Sequence, residues 1–227
     1  MNEIDLARKR RQFLALLFAS GVGVGLVIAR VILTRRFQHL YLPWNLLLAW
    51  VPWIATALLD RWDQTPQIHK GNRVAAMAVW FFFFPNAPYI LTDLVHLGPK
   101  HYGHYWVDML LILLVAFTGL LLGFLSLHSM QQRVARRFPW PAGWLFVMVM
   151  SVLSGIGIYA GRFLRWNSWD VIARPGRVMD DGLLWVLSSF ERPLSIVFPL
   201  LFGIVLFTTY LLVVSISTLD NSRDARA

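Results

Sequence analysis

The sequence predicts an all-α fold, a bundle of six membrane-spanning helices. Its apolar residues come in six runs of about twenty, and roughly 20 helical residues at about 1.5 Å each cross a hydrocarbon core of about 30 Å. The chain is 57% hydrophobic and only 15% charged, which is more apolar than typical soluble domains. The basic residues lie mostly in the short connections between the runs, as they do around membrane spans. The net charge of +9 is therefore attributed to membrane topology, and no nucleic-acid partner is expected.

We expect one transmembrane domain, residues 12–219, between a basic tail at 1–11 and a polar tail at 220–227. The first apolar run is longer than that of a signal peptide and lacks a small-residue cleavage site, so it is expected to be retained. A short helix from Asp180 begins with acidic residues and continues with apolar ones, which is typical of a helix lying in the membrane interface between spans five and six. The predicted spans cover about 12–33, 42–59, 74–97, 106–128, 140–164 and 194–219.

The distribution of Lys and Arg predicts the orientation in the membrane. Six spans place both termini on the same side, and that side holds twelve of the 21 Lys and Arg residues. By the positive-inside rule, both termini are expected to lie in the cytoplasm.

Glycine pairs spaced by four residues predict close helix packing. Gly21 and Gly25 form one such pair in the first span, and Gly119 and Gly123 form another in the fourth. Glycine at this spacing lets two helix backbones approach closely inside a membrane. The stretch around Gly21 is not read as a phosphate-binding loop, because no strand precedes it and no Lys follows it.

The third span carries the most distinctive stretch, Phe84-Pro-Asn-Ala-Pro-Tyr-Ile-Leu-Thr-Asp-Leu-Val-His96. Pro85 and Pro88 have no amide hydrogen, so they are expected to break the helix and to leave carbonyl groups that need other donors. Asn86 is the nearest side-chain amide. The helix is then expected to resume with its polar residues on one face, because they are spaced by three, four and three positions. These residues are Asn86, Tyr89, Asp93 and His96.

Ionisable residues from several spans are expected near the same membrane boundary. Arg30, Asp93 and Arg162 each lie roughly 26–28 Å along their spans, at about 1.5 Å per residue. Ionisable groups at membrane depth usually face the bundle interior and pair, so they mark candidate functional sites. We therefore expect a polar site at the boundary opposite the termini. Further residues expected at this end are His96, His101, His104, Asp108, Arg165 and Asp170.

One interpretation of this site is a divalent metal centre. Asp93 with His96, and His104 with Asp108, are each spaced to supply two ligands from one helix face. Carboxylate and imidazole ligands suit Zn, Fe or Mn, although the spacing permits a metal without being diagnostic for one. With or without a metal, Asp93 and His96 are the candidate catalytic acid and base.

A second interpretation is a site for an anionic headgroup. Arg30, Arg162 and Arg165 are candidates to hold the phosphate of a lipid or of a polyprenyl phosphate, because the guanidinium fork binds phosphate through two hydrogen bonds. Trp166 and Trp169 would surround an amphiphile with aromatic rings. Membrane lipids are thus the expected partners. Supporting roles are assigned to Asn86, Tyr89 and Asp170.

Two other interpretations stay open. In one, the protein is a scaffold in which Asp93 pairs with Arg162 or Arg30 and the tryptophans form the aromatic belt of the membrane interface. In the other, the broken third span belongs to a transporter of small solutes, although no other part of the chain repeats the break. The sequence names no reaction, so it does not decide whether the protein is an enzyme.

Two segments resemble a family of bacterial integral membrane proteins known only as a domain of unknown function. They are the Phe84–His96 stretch and Gly157-Ile-Tyr-Ala-Gly-Arg-Phe-Leu-Arg-Trp-Asn-Ser-Trp-Asp170. The resemblance covers most of the membrane-embedded chain, roughly from the second span to the sixth. It implies a location in the bacterial cytoplasmic membrane. It implies no activity and assigns no catalytic residue.

Overall fold

The computed structural model describes residues 3–65, 67–97, 103–139, 141–166, 170–188 and 193–224. Within these ranges the chain is helical and has no β-strand, so the predicted all-α fold is confirmed. The protein is a multi-pass membrane protein, because six of its helical segments are long and apolar enough to cross a membrane. These segments are Ala7–Thr34, Tyr41–Trp62, Lys70–His96, Tyr105–Ala135, Pro141–Arg162 and Leu194–Ser217.

Helix boundaries follow the apolar runs and extend beyond some of them. Helix α1 begins at Glu3, so most of the basic tail is helical, since Lys, Arg, Leu and Ala are good helix formers. The helices in the described part of the chain are α1 (Glu3–Thr34), α2 (Tyr41–Trp62), α3 (Lys70–Phe83), α4 (Asn86–Tyr89), α5 (Tyr105–Ala135), α6 (Pro141–Arg162), α7 (Asp170–Ala173), α8 (Pro175–Ser188) and α9 (Leu194–Asp224), with a 3₁₀ segment at Ile90–His96.

The chain divides into two compact units within helix α5. Unit 1 comprises Met1–Ser126 and unit 2 comprises Leu127–Ala227. Unit 1 therefore holds α1 to α4, the 3₁₀ segment and most of α5, and unit 2 holds the end of α5 and helices α6 to α9. The single transmembrane domain expected from the sequence stays a prediction.

The apolar core of unit 1 lies between α1, α2, the broken third span and α5. Trp50 on α2 donates its indole N–H to Ser20 Oγ on α1 at 3.1 Å, and Trp80 on α3 donates to Ser126 Oγ on α5 at 3.2 Å. Such bonds satisfy polar atoms that lipid tails cannot. The fully buried core side chains include Val27, Leu42, Ile90, Ile112, Val115 and Leu122.

The two prolines break the third span. Helix α3 ends at Phe83, and the single turn α4 follows at Asn86. Asn86 Nδ2 donates to the Phe83 carbonyl oxygen at 3.1 Å, and the Ala87 N–H donates to the Phe84 carbonyl oxygen at 3.2 Å. The side chain of Asn86 thus satisfies a backbone carbonyl at the break, where lipid offers no donor.

Beyond the break the chain forms a 3₁₀ segment instead of the predicted α-helix. Its tighter winding uses bonds between residues three apart, such as Leu97 N–H to the Leu94 carbonyl at 3.2 Å. Asp93 and His96 share a face of this segment, but Asp93 is buried and His96 is exposed. The predicted continuous polar face is therefore interrupted.

The break packs directly on α5 through two glycines. A Cβ atom at Gly119 would lie 2.9 Å from the Ala87 carbonyl oxygen and 2.7 Å from Ile90 Cδ1. A Cβ atom at Gly123 would lie 2.9 Å from Ala87 Cβ. Because real Cβ atoms do not approach other atoms so closely, only glycine fits at these two positions. The close packing predicted at Gly119 and Gly123 is confirmed.

The close packing predicted at Gly21 and Gly25 is wrong within the protein chain. A Cβ atom at either position would meet no atom of the described residues within 4 Å, and both glycines are exposed. Gly23, on another face of α1, is the close contact instead, since its Cβ would lie 3.0 Å from Val115 Cγ2. A helix that is apolar all round does not reveal which face packs inward.

We expect Gly119→Ala to destabilise the protein by about 1–3 kcal/mol, because the added methyl group must displace the Ala87 carbonyl or the Ile90 side chain. The measurement is the midpoint of thermal unfolding in detergent, followed by Trp fluorescence. Gly25→Ala is the matched control, since its methyl group enters open space and it gains the higher helix propensity of alanine. Equal midpoints for the two variants would contradict the tight contact.

Unit 2 is built on the close approach of α6 and α9, where Gly155 faces the backbone of Pro199. Near the other end of the helix pair, the Tyr210 hydroxyl donates to Gln131 Oε1 and lies 3.0 Å from His128 Nδ1. The Tyr210 hydroxyl therefore bridges Gln131 and His128. These bonds tie α9 to the end of α5.

Candidate functional site

A buried ion pair forms the centre of the polar cluster in unit 1. Arg30 Nε donates to Asp108 Oδ1 at 2.6 Å, and Arg30 Nη2 donates to Asp108 Oδ2 at 3.0 Å. Both side chains are more than 90% buried. Two parallel charge-assisted bonds are the strongest geometry available to an Arg and a carboxylate. The pair joins the end of α1 to the start of α5, across 78 residues of sequence.

His39 is a member of this cluster that the sequence analysis missed. It lies in the turn between α1 and α2, and it is 5% exposed. Its Nε2 atom lies 3.3 Å from Asp108 Oδ2, within ion-pair distance but without the alignment of a hydrogen bond. Neighbouring Phe37 and Leu40 are exposed, so the imidazole alone turns inward here. In the sequence, His39 is marked only as a histidine in a short connection between two spans, which does not predict that its side chain is buried.

Asp93 is the second buried carboxylate of unit 1, with 1% of its surface exposed. Asn45 Nδ2 on α2 donates to Asp93 Oδ2 at 2.9 Å. A buried carboxylate requires such donors, because its desolvation is costly without them. Asn45 was also missed by the sequence analysis, although an amide in the first turns of an apolar span is a usable signal.

The exposed histidines lie at the edge of this cluster. His96 packs edge-on against Tyr41, with ring centroids 5.2 Å apart. His104 is exposed just before α5, and its carbonyl accepts the Asp108 N–H at 2.9 Å. Asp93 and His96 therefore differ in surroundings, since the first is enclosed by the helices and the second is accessible from outside.

The contacts described above do not bring together a set of metal ligands among the described residues. Among the residues that the structure describes, no three His, Asp or Glu side chains are grouped so that they could hold an ion. Both carboxylate oxygens of Asp108 accept hydrogen bonds from Arg30. His101 lies outside the described residues. The ligand set Asp93, His96, His104 and Asp108 stays a prediction.

In unit 2, the candidate arginines lie at the end of α6. Arg162 is the last residue of the helix and is half-buried. Arg165 follows with an exposed side chain and a backbone φ of 59°, in the left-handed region. The Trp166 N–H donates to the Ala160 carbonyl at 3.1 Å, which folds the chain back over the helix end. Asp170 begins α7, and Trp169 lies outside the described residues.

Trp166 connects this helix end to α8. Its indole Nε1 donates to Asp181 Oδ2 at 3.1 Å, and Arg177 Nε lies 3.6 Å from the same oxygen. The Asp181 carboxylate is therefore occupied from two sides. Three arginines are exposed at the end of α6 and around the start of α8: Arg165, Arg174 and Arg177.

The comparison with protein families identifies a match over most of the membrane-embedded chain. The family model described as Protein of unknown function (DUF1361) matches residues 44–210, well over half of the chain. A search of curated proteins and a search of solved structures each found no match. Arg30 and His39 lie before the matched region, whereas Asp93, Asp108, Arg162 and Arg165 lie within it. The chain therefore belongs to the DUF1361 family of proteins of unknown function.

Proposed function

We propose that the protein binds the anionic headgroup of a membrane amphiphile at the membrane boundary opposite its termini. In this proposal the membrane is the bacterial cytoplasmic membrane, both termini lie in the cytoplasm, and Arg162 and Arg165 hold the phosphate. The observation that supports it most is that Arg165 is exposed and lies three residues after the end of the membrane-spanning helix α6.

The backbone of Arg165 supports a positioned role for this side chain. A left-handed conformation costs a residue with a Cβ atom about 1–2 kcal/mol, and it persists only where the surroundings impose it. Here the Trp166 bonds to Ala160 and Asp181 fix the chain on both sides of the helix end. The backbone that carries the Arg165 side chain is thus held at a defined place at the end of α6.

The charge at this helix end makes the arginines necessary for an anion. The C-terminus of a helix carries a partial negative charge, which favours Arg162 but repels a phosphate. An anion can bind here only if guanidinium groups outweigh that charge. The proposal does not rely on Arg30, because Asp108 accepts two of its hydrogen bonds; its role in holding an anion stays a prediction. The headgroup site therefore requires Arg162 and Arg165.

We expect the double variant Arg162→Gln/Arg165→Gln to lose anionic lipid that the wild-type protein retains. Hydrogen bonds to charged groups contribute about 1.5–3 kcal/mol each, so each substitution should weaken binding about tenfold or more. The measurement is native mass spectrometry of protein purified in mild detergent and titrated with phosphatidylglycerol. Phosphatidylcholine, which has no net charge, serves as the lipid control.

The control variant for this titration is Arg35→Gln. Arg35 is also exposed, also has a positive φ, at 54°, and also follows a membrane-spanning helix, so it matches Arg165 in charge and backbone. Retention of phosphatidylglycerol should be unchanged in this variant. If Arg35→Gln lowers retention as much as the double variant, or if the double variant retains the lipid fully, the proposed site is wrong.

A structural role is the second candidate function: the protein would be a membrane scaffold held together by ion pairs. The Arg30–Asp108 pair favours it. A buried bidentate pair between α1 and α5 fixes the two helices relative to each other within unit 1. This candidate predicts that variants of Arg30 and Asp108 change stability together, whatever happens to lipid binding. Binding of a metal and transport through the broken third span stay predictions.

A further inference from the structure

Helix α8 has one face that packs within unit 2. Asp181 on this face accepts the hydrogen bond of Trp166, and Trp185 packs against Tyr159 with ring centroids 5.5 Å apart. Gly182 lies on the same face, where a Cβ atom would be 3.6 Å from the Trp166 ring. These contacts fix which side of α8 points away from the unit.

The outward face of α8 carries an apolar stripe. Met179, Leu183 and Leu187 recur every four residues, so they lie along one side of the helix. They are 74%, 61% and 61% exposed, and Leu184 beside them is 64% exposed. Burying a side chain of this size contributes about 1.5–3 kcal/mol, so an apolar environment for the stripe would be strongly favoured.

A polar edge runs beside the stripe. Arg177 and Asp180 are exposed on the flank of the same face, and Arg174 is exposed just before the helix. An apolar stripe beside exposed basic residues is the pattern of a helix that lies in the plane of a membrane surface. The two exposed arginines outnumber the one exposed acid, Asp180, and therefore favour a surface rich in anionic headgroups.

The position of α8 in the chain connects this face to the membrane. The segment that contains it leaves α6 at Arg162 and enters α9 at Leu194, and both of these helices are membrane spans. Helix α8 has 14 residues and is therefore about 21 Å long, too short to cross a hydrocarbon core of about 30 Å. Its exposed stripe is continuous with chain that must lie at the bilayer surface.

We infer that α8 docks on an anionic lipid surface, with Met179, Leu183 and Leu187 inserted at the boundary between headgroups and acyl chains. Arg174 and Arg177 then contact the headgroups. This inference rests on the proposed function for its choice of anionic lipid. It also specifies the ligand of the headgroup site as an amphiphile whose acyl chains lie within the bilayer leaflet. A phosphate in free solution would not need the apolar stripe.

The test uses spin labels, because the chain contains no cysteine and single-cysteine variants carry no background. Met179→Cys, Leu183→Cys and Asp180→Cys variants of the full chain are labelled in vesicles of phosphatidylcholine with phosphatidylglycerol. Frequent collision of the spin label with oxygen indicates that the label lies in lipid. Frequent collision with a water-soluble nickel complex indicates that it lies in water. Phe18→Cys on the exposed side of α1 and Gln67→Cys in a polar connection provide the lipid and water references.

We expect the labels at positions 179 and 183 to resemble the Phe18→Cys reference and the label at 180 to be more accessible to nickel. Replacing phosphatidylglycerol with phosphatidylcholine should raise the nickel accessibility of the 179 and 183 labels. Equal nickel accessibility at 180 and 183 would overturn the docking. If the labels at 179 and 183 are inserted in the lipid equally well with and without phosphatidylglycerol, the selectivity for anionic lipid is overturned. A variant counts only if its Trp fluorescence and its elution in detergent match the wild type, and Leu187→Cys replaces one that fails.

The outcomes separate this inference from the proposed headgroup site. Water-exposed labels together with lipid retention that depends on Arg162 and Arg165 would refute the docking and leave the headgroup site intact. Inserted labels together with retention that ignores these arginines would refute the headgroup site and leave the docking intact.

Discussion

Asp108→Ala is expected to destabilise the protein by about 3–5 kcal/mol, because it leaves the Arg30 guanidinium buried without its carboxylate. The substitution also removes the acceptor beside His39. At roughly 2–4 °C per kcal/mol, the midpoint of thermal unfolding should fall by about 6–20 °C. The measurement is Trp fluorescence during heating of the detergent-solubilised protein, with lipid retention measured on the same samples.

Asp63→Ala is the control for loss of one carboxylate. Asp63 Oδ1 lies 3.8 Å from Arg73 Nη1, and its side chain is 40% exposed, so this pair should contribute less than about 1 kcal/mol. Equal effects of the two substitutions would contradict the buried pair as the joint between α1 and α5.

The double variant Arg30→Met/Asp108→Leu separates the pair from its surroundings. Replacing both charges with apolar side chains removes the desolvation penalty, so we expect it to recover most of the stability that Asp108→Ala loses. Full recovery with unchanged phosphatidylglycerol retention would assign the pair a role in structure alone. A double variant no more stable than Asp108→Ala would show that packing at these positions, and not the charge, was lost.

Gly155→Ala is expected to cause the second large loss, about 3 kcal/mol or more. The added Cβ atom would overlap the Pro199 carbonyl oxygen and lie 3.0 Å from its carbon atom. Because both atoms belong to the backbone of α9, no side-chain rotation relieves the overlap, and the helices must separate. The higher helix propensity of alanine offsets at most about 1 kcal/mol. Thermal unfolding in detergent measures the difference.

Two other Gly→Ala variants provide reference values for the change in unfolding midpoint. Gly203→Ala brings a Cβ atom to 2.9 Å from Val152 Cα, so it should lower the midpoint less than Gly155→Ala does. Gly21→Ala fills open space and should leave the midpoint unchanged or slightly raised. If Gly155→Ala behaves as Gly21→Ala does, the close approach of α6 and α9 is refuted.

Local features of the fold were predictable because they depend on neighbouring residues. The apolar runs predict six long helices from their length alone, and Pro85 and Pro88 place the break. The interfacial helix was expected from Asp180, and the structure begins it earlier, at Pro175, where proline fits the first turn. Its orientation in the membrane stays a prediction.

The candidate site was predictable only in part. Depth along the spans placed Arg30 and Asp108 at the same end, and they are in contact. Depth does not specify which residues face each other, so the partners Asn45 and His39 were missed. His39 lies in a connection whose neighbours are exposed, and no periodic pattern marks its inward direction.

The sequence by itself determined the helices of this protein and their approximate ends, and it placed Arg30 and Asp108 at the same end of unit 1. The tertiary structure decided the partners: Asp108 for Arg30, Asn45 for Asp93, and Gly23 in place of Gly21 and Gly25 as the tight contact of α1. The physical reason is that a membrane helix is apolar toward both lipid and protein. Its hydrophobic pattern therefore sets where it lies along the membrane normal, and only packing against other helices sets which way it faces.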